Sequence, residues 1–560
     1  MTARALGLGA LASLVVACAG AGATARERRS ALDEEVRRVS AEVSRLRGRG
    51  FRHEVPARTM GCGAASVRLL EIARAEGARC SPDIERAIVA LGFIEREPVP
   101  AAPGASRASR SDETSGDDAS RPCGLAFYDQ IRKEVVVVDG RSTPDERAEV
   151  LAHELSHALQ DQAFDLRARL RSVPRTASGD HDAEELAVNA AINEGEATAI
   201  ELLYLWKQGA ERSWIQGVAL EDPLAGAAQV LGVVAFAERA RRLDAGLRSV
   251  QRGARQAWSE QRRLGSRFYF HALARFQYLA GCSFVAEAYR RGGWELVDRL
   301  RASPPTATAQ ILHPERYFDG LDGAVPVAAS DFSPRERAAL LYENRLGELG
   351  TEIATESEAP GWRGDRYRVL SRPDGATVVE ARSLWRSPGA ALEFLAHATR
   401  WLGSMSLPAS SFDVIEGRGS AVVLGAGIRE DELSAFREAN WKSRARDAVS
   451  AESSSKNPTL GLRRRGADGT PTCELRLLEA DERSKAEAVL KAHLDRGARE
   501  CVDTDGRTWG LRSRPGGGFS WVEERADGRI VVATGNDRAN IDATRAALLQ
   551  LSPVAVKDAR

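Results

Sequence analysis

Apolar residues recur at helical spacing through Leu151, Leu155, Ala158 and Leu159, and an apolar run extends from Leu186 to Trp206. Two long helices packed against a core are expected there. The first has a readable start, with Thr143 as N-cap, Pro144 at the first helical position and Glu146 closing a capping box. Just before it, Leu125 to Asp139 reads as a hairpin with Val135 to Val138 as its strongest β run. The hairpin strand could offer an open edge to an extended peptide or be internal to a sheet. Ala31 to Arg47 is a polar helix, and helices are expected to dominate to about Leu349. They include Gln256 to Ala280, where Tyr269, Phe276 and Tyr278 read as core aromatics.

Beyond Glu358 the period changes. Arg366 to Leu370 and Thr377 to Leu384 read as strands, Pro388 to Leu402 as helix, Phe412 to Leu424 as two strands and Glu430 to Trp441 as helix. Cys473 to Leu477, Ser484 to Leu494, Trp509 to Thr534 and Ile541 to Leu551 repeat that alternation of strand and helix. The expected class is α+β: a mainly helical domain with a small sheet over residues 31–349, then α+β modules over 359–445 and 471–556 that read as a diverged repeat. Residues 97–122, rich in Ala, Pro, Ser, Gly and Asp, are expected to be a flexible insertion. A linker is expected over 446–470, including the basic run Arg463 to Arg465.

Charge narrows the possibilities. Lys and Arg number 79 against 79 Asp and Glu, interspersed rather than clustered, so no nucleic-acid partner is expected. Histidine is scarce, with 8 in the chain, yet two of them fall in His153-Glu154-Leu155-Ser156-His157 inside the first helix. Residues four apart share a helix face, so both rings can approach one ion, while Glu154, about 100° round, can act as general base. That spacing is the minimal core of a zinc hydrolase.

Two histidines need a third protein ligand, and Glu194 is the best candidate, because a carboxylate in a buried helix needs a partner. Glu196 is expected to be solvated or paired with an arginine. Asp161 ranks second as a ligand, since three successive turns of one helix spread donors too far along the axis for a single ion, and orienting an imidazole suits it better. His181 is a weaker alternative, read as a surface residue. Candidate oxyanion donors are His181, Tyr204, His313 and Tyr317.

A His-Glu-x-x-His helix followed by Asn193-Glu194 in a second helix resembles the glutamate-ligand zincins, the group that includes thermolysin-like peptidases. The closer resemblance is to a bacterial family of secreted or lipid-anchored proteins of metallopeptidase type. It rests on His153 to Gln162, Glu194 to Ala197, Pro304-Pro305-Thr306, Ile311 to Tyr317 and Gly361 to Tyr367. Ala309 departs from it, standing where an acidic residue is expected. The resemblance implies a zincin-like fold for the helical domain and metal chemistry, without naming a substrate.

Arg4 precedes an apolar stretch ending in Leu14-Val15-Val16-Ala17-Cys18. This resembles a lipoprotein signal, with residues 1–17 removed, Cys18 acylated and residues 18–30 a tether. Ala19 is not the aspartate of inner-membrane retention, so the expected place is the outer membrane, facing the periplasm. An ordinary cleaved signal peptide is the alternative. Either way the six remaining cysteines, Cys62, Cys80, Cys123, Cys282, Cys473 and Cys501, lie in a compartment that permits disulfides. Neighbouring pairs Cys62–Cys80 and Cys473–Cys501 would leave Cys123 with Cys282.

The expected function is a zinc-dependent peptidase, with zinc held by His153, His157 and Glu194, Glu154 as base and a peptide or protein as substrate. The competing expectation is an inactive envelope lipoprotein of the same fold that binds or assembles.

Overall fold

The computed structural model describes residues 25–76, 82–93, 95–96, 125–140, 142–211, 264–265, 273, 276–321, 323–327, 338–355, 357–409, 411–442, 459–465, 471–478, 499–502, 508–513, 519–524 and 530–535. Cys18 with its signal, the insertion 97–122, most of Gln256 to Ala280, and the helices expected at Ser484 to Leu494 and Ile541 to Leu551 lie outside the described residues.

Helix α1 (Ala25–Arg47) starts inside the expected tether. It is ordered despite its charge because Leu32, Val36, Val39 and Val43 form one apolar stripe turned into a core. After β1 (Ala57–Met60), α2 (Cys62–Ala75), α3 (Pro82–Ala90) and β2 (Glu95–Arg96) come the hairpin strands β3 (Ala126–Asp129) and β4 (Glu134–Val138). β4 is the middle strand of three, with β1 parallel on one side and β3 antiparallel on the other. Its valines are at most 4% exposed, which makes β4 the internal strand and β3 the edge.

Helix α4 (Pro144–Phe164) begins as its capping residues require. The Glu146 N–H donates to Thr143 Oγ1 at 3.3 Å and the Thr143 N–H to Glu146 Oε2 at 3.0 Å. It ends at Asp165, whose left-handed backbone (φ 49°) turns the chain and whose carboxylate caps α5 (Leu166–Ser172) by accepting from Ala168 N at 3.0 Å. Helix α6 (Ala183–Glu211) is 29 residues long and belongs to two cores. Ile200 and Tyr204 join α1, β4 and α4 in one. Ala191, Ile192 and Leu203 meet a second group from the π-helical turn Phe276–Ala280, α7 (Gly281–Ala302), α8 (Thr308–Leu312) and α9 (Pro314–Phe318). Strand β5 (Leu264–Gly265) pairs with β2.

The chain then alternates through β6 (Ala339–Asn344), α10 (Gly347–Thr355), β7 (Trp362–Ser371), β8 (Thr377–Trp385), α11 (Pro388–Ser404), β9 (Phe412–Arg418), β10 (Ala421–Ile428) and α12 (Leu433–Lys442). Strands β11 (Thr459–Arg465), β12 (Pro471–Leu478), β13 (Arg499–Val502), β14 (Thr508–Ser513), β15 (Phe519–Glu524) and β16 (Ile530–Gly535) follow. All join one antiparallel sheet in the order β13-β14-β15-β16-β12-β11-β9-β10-β8-β7-β6. The arrangement β7-β8-β10-β9 recurs as β11-β12-β16-β15, an internal repetition of topology.

The protein is therefore α+β, and the sheet changes two expected boundaries and the reading of one arginine. β6, placed in the helical domain, pairs with β7, so the first division does not fall at residue 349. The linker 446–470 contains β11, which pairs with β9 and β12 and makes the sheet continuous. Arg465 is not part of a solvated basic run: it is 1% exposed, with its Nε donating to Asp413 Oδ1 at 2.9 Å. The cysteine reading also changes: Cys62 is disulfide-bonded but Cys282 is free, so no Cys123–Cys282 bridge forms. Ala309 is 4% exposed and packs in the core, a position that suits a methyl group and not a carboxylate. No helix among the described residues is long and apolar enough to cross a membrane.

Candidate metal centre

α4 carries His153 and His157 on one face, and α6 packs across that face with Glu194 opposite them. The His153 and His157 Nε2 atoms are 3.1 Å apart, and each lies 3.3 Å from Glu194 Oε2. A tetrahedral ion with bonds of about 2.0–2.1 Å needs donors separated by about 3.3 Å, so the triangle has the size zinc requires. Among the described residues this is the one group of His, Cys, Asp and Glu donors placed to hold an ion.

The outer nitrogens settle which way the lone pairs face. His153 Nδ1 is 3.3 Å from Glu201 Oε2, and His157 Nδ1 is 3.2 Å from Gln160 Oε1. Gln160 is itself fixed, because its Nε2 donates to the Asn193 carbonyl at 3.0 Å. With a carboxylate or amide oxygen at each Nδ1, the proton belongs there and the two unprotonated Nε2 atoms face each other. Two nitrogen lone pairs and a carboxylate converging on one point repel unless a cation or a proton lies among them. Burial disfavours charge on either ring, but Glu194 outweighs it and holds both histidines above their ordinary pKa. Burial likewise opposes the Glu194 charge, and the two imidazoles hold its carboxyl well below the usual range. The site thus selects positive charge at its centre.

Glu154, one residue along α4, accepts the Tyr128 backbone N–H at 2.8 Å through Oε2. Because Tyr128 is on edge strand β3, the strand that borders the site also orients this carboxylate. Glu196, as expected for an arginine-paired residue, receives Arg47 Nε and Arg301, each at 2.6 Å. It ties α1, α6 and α7 together beside the site, and is not a ligand.

Asp161 does not orient an imidazole. Its carboxylate accepts from the Tyr128 hydroxyl and Lys133 Nζ, each at 2.6 Å, and from Leu166 N at 3.1 Å, so it fastens the β3–β4 hairpin to the end of α4. Glu201 stands at His153 instead, since it lies on α6, which crosses the imidazole, whereas Asp161 lies two turns beyond His153 on the same helix. The four candidate oxyanion donors are elsewhere. His181 Nδ1 meets the Val173 carbonyl at 3.1 Å, Tyr204 accepts from Arg38 at 3.3 Å, His313 Nε2 meets Glu348 at 2.5 Å, and the Tyr317 hydroxyl donates to the Ser303 carbonyl.

Tyr278, read from the sequence as a core aromatic, is at the site: its ring centroid is 5.8 Å from that of His153, and its hydroxyl bonds Glu194. The charge of Glu194, then burial and Glu154, hold its phenol well above the ordinary value, so it remains a proton donor. The π turn supplies the placement, because its extra residue per turn rotates Tyr278 out of α-helical register. The following Gly281 packs against α6 with no room for a side chain: a Cβ there would lie 2.2 Å from the Ala191 carbonyl, and one on Gly195 would lie 2.2 Å from the Gly281 carbonyl carbon.

The donors open on a cavity of about 750 Å³ whose walls include β3, α5, α6, the π turn and α10. Compared with models of protein families, with curated proteins and with solved structures, the chain matches none.

Proposed function

We propose that this protein is a zinc-dependent peptidase of the glutamate-ligand zincin type. The observation that carries the reading is the convergence of His153 Nε2, His157 Nε2 and Glu194 Oε2 within 3.3 Å of one another, beside Glu154 and at the wall of a cavity. Zinc held there would supply Lewis acidity to a substrate carbonyl at neutral pH.

The chain's own residues supply the rest. Glu154 takes a proton from the attacking water and returns it to the leaving amine, with Tyr128 N–H fixing one carboxylate oxygen so that the other is available. The Tyr278 hydroxyl donates to the oxyanion as the carbonyl becomes tetrahedral. Apart from the Tyr128 N–H held by Glu154, edge strand β3 offers backbone groups to an extended substrate, with Ala126, Phe127 and Tyr128 on the cavity wall. The retained base is what a purely structural metal site would not need. Acylation at Cys18 would hold this site at the membrane surface, an assignment checked by fatty-acid labelling of wild type against Cys18→Ala.

The deciding experiment is elemental analysis of the purified full chain with a peptide-cleavage screen. Near-stoichiometric zinc is expected in wild type and strongly reduced zinc in folded His153→Ala and Glu194→Ala. Glu154→Gln should keep the metal and lose cleavage, while Tyr278→Phe should keep the metal and lose about a hundred-fold or more in kcat. Absence of zinc after reconstitution rejects the reading. Zinc without cleavage of any peptide leaves a binding or assembly protein built on the same fold.

A further inference from the structure

Among the described residues, Arg169 of α5 is the one arginine or lysine on the wall of the cavity that holds the His153, His157 and Glu194 cluster. Among the described residues its guanidinium has neither a carboxylate nor a ring partner. Most other buried or half-buried arginines nearby are matched: Arg47 and Arg301 by Glu196, Arg68 by Asp129 at 2.6 Å and Arg345 by Asp182 at 2.6 Å. Arg169 instead faces a like charge. Partial burial, then Arg301, lowers its pKa from the ordinary value, although a guanidinium remains protonated at any physiological pH.

The acids on the same wall do not answer it. Glu194 and Glu154 belong to the metal site. Glu184 is pushed up to about 8 by burial, so it is largely neutral at pH 7, and its carboxyl is occupied by Thr308 N at 2.9 Å. Burial also raises Glu76, and the cation whose charge opposes that rise is Arg167. Arg301, whose charge acts on Arg169, donates to Asn193 Oδ1 at 3.2 Å, directly before ligand Glu194. Arg169 and Asn193 thus both line the cavity that holds the cluster. A half-buried arginine without a carboxylate partner, under the charge of a second arginine, is stabilised when an anion arrives.

We propose that Arg169 selects substrates bearing a carboxylate, which it takes in bidentate fashion while the adjoining apolar wall of Leu186, Leu273, Leu349 and Ile353 receives a hydrophobic side chain. This rests on the peptidase reading and names the substrate class for that site: a peptide whose carboxylate, either the free C-terminus or an acidic side chain, lies near the scissile amide.

The test measures peptide binding to the zinc-loaded full chain carrying Glu154→Gln, by fluorescence anisotropy with labelled apolar peptides. Each peptide is compared as free acid and C-terminal amide, and amidated peptides containing Glu are compared with their Gln counterparts. A free acid bound about ten- to a hundred-fold more tightly than its amide, with the difference lost in Arg169→Gln and partly kept in Arg169→Lys, assigns the C-terminal carboxylate. A Glu-over-Gln preference lost in the same way assigns the side chain. Zinc content and circular dichroism of Arg169→Gln verify that site and fold are intact. Binding indifferent to the carboxylate, or a preference unchanged in Arg169→Gln, overturns the inference and leaves the peptidase reading standing. No binding of any peptide, together with no cleavage by the Glu154-containing protein, removes both.

Discussion

A histidine ligand is only as good as the group behind it. His153 has a carboxylate at Nδ1, from Glu201, and His157 an amide oxygen, from Gln160, so the two rings differ in how firmly their proton is held. The carboxylate makes His153 the stronger donor. On the proposed zinc site, Glu201→Ala is therefore expected to weaken zinc affinity about ten- to a hundred-fold, measured by competition with a chelator. Asp161→Asn, although its residue was the more obvious choice from spacing, should leave affinity nearly unchanged and lower thermal stability, because it touches Tyr128 and Lys133 rather than a ring. The reverse pattern would return Asp161 to the imidazole.

At the scale of elements, the site depends on how closely α6 and α7 cross. Gly195 costs α6 about 1 kcal/mol of helix propensity relative to alanine, yet a methyl group there would collide with the Gly281 carbonyl, an atom fixed in backbone. The π turn leads directly into Gly281 at this crossing and carries Tyr278, which reaches Glu194. Gly195→Ala is expected to destabilise by about 1–3 kcal/mol despite its better propensity and, on the peptidase reading, to lower kcat more than zinc content, since the displaced element carries Tyr278 and not a proposed ligand. Thermal melts alongside metal analysis check this; a variant as stable as wild type would show that the helices can part.

For the molecule as a whole, the seam between the helical layers and the large sheet runs through Glu184. Its carboxyl accepts Thr308 N and Thr308 Oγ1 from α8 and fills the space beside Gly347, where φ is 70° and a Cβ would lie 1.8 Å from Glu184 Oε1. Gly347 N in turn donates to Asp365 of β7 at 2.9 Å. Burial raises Glu184 from 4.5 to about 8. The folded state therefore binds this proton more tightly than the unfolded chain does. The stabilisation is complete below about pH 4.5 and is lost progressively as pH rises through about 8. Glu184→Gln should remove that part of the slope, so its Tm relative to wild type should climb between those values. Parallel Tm curves for the two proteins would show that Glu184 does not titrate across this range.

The capping box at Thr143, the helices carrying His153, His157 and Glu194, the β3–β4 hairpin and the strand–helix alternation from Arg366 to Trp441 are all legible in the sequence. Each rests on interactions within one segment or on the period of one face, and such patterns are local. The mutual placement of the histidines is likewise written in their spacing of four. Glu201 and Tyr278 were not legible, because what joins them to His153 is the crossing of α6 and the π turn over α4, and no spacing within one segment encodes a crossing, whereas Gln160 lies only three residues from His157 on α4 itself. The merger of two expected modules into one sheet follows the same rule, since β11 has neighbours only once β9 and β12 are beside it. Sequence determined which groups could bind a metal and on which helices they lie; packing between helices decided which carboxylate and which phenol complete the site.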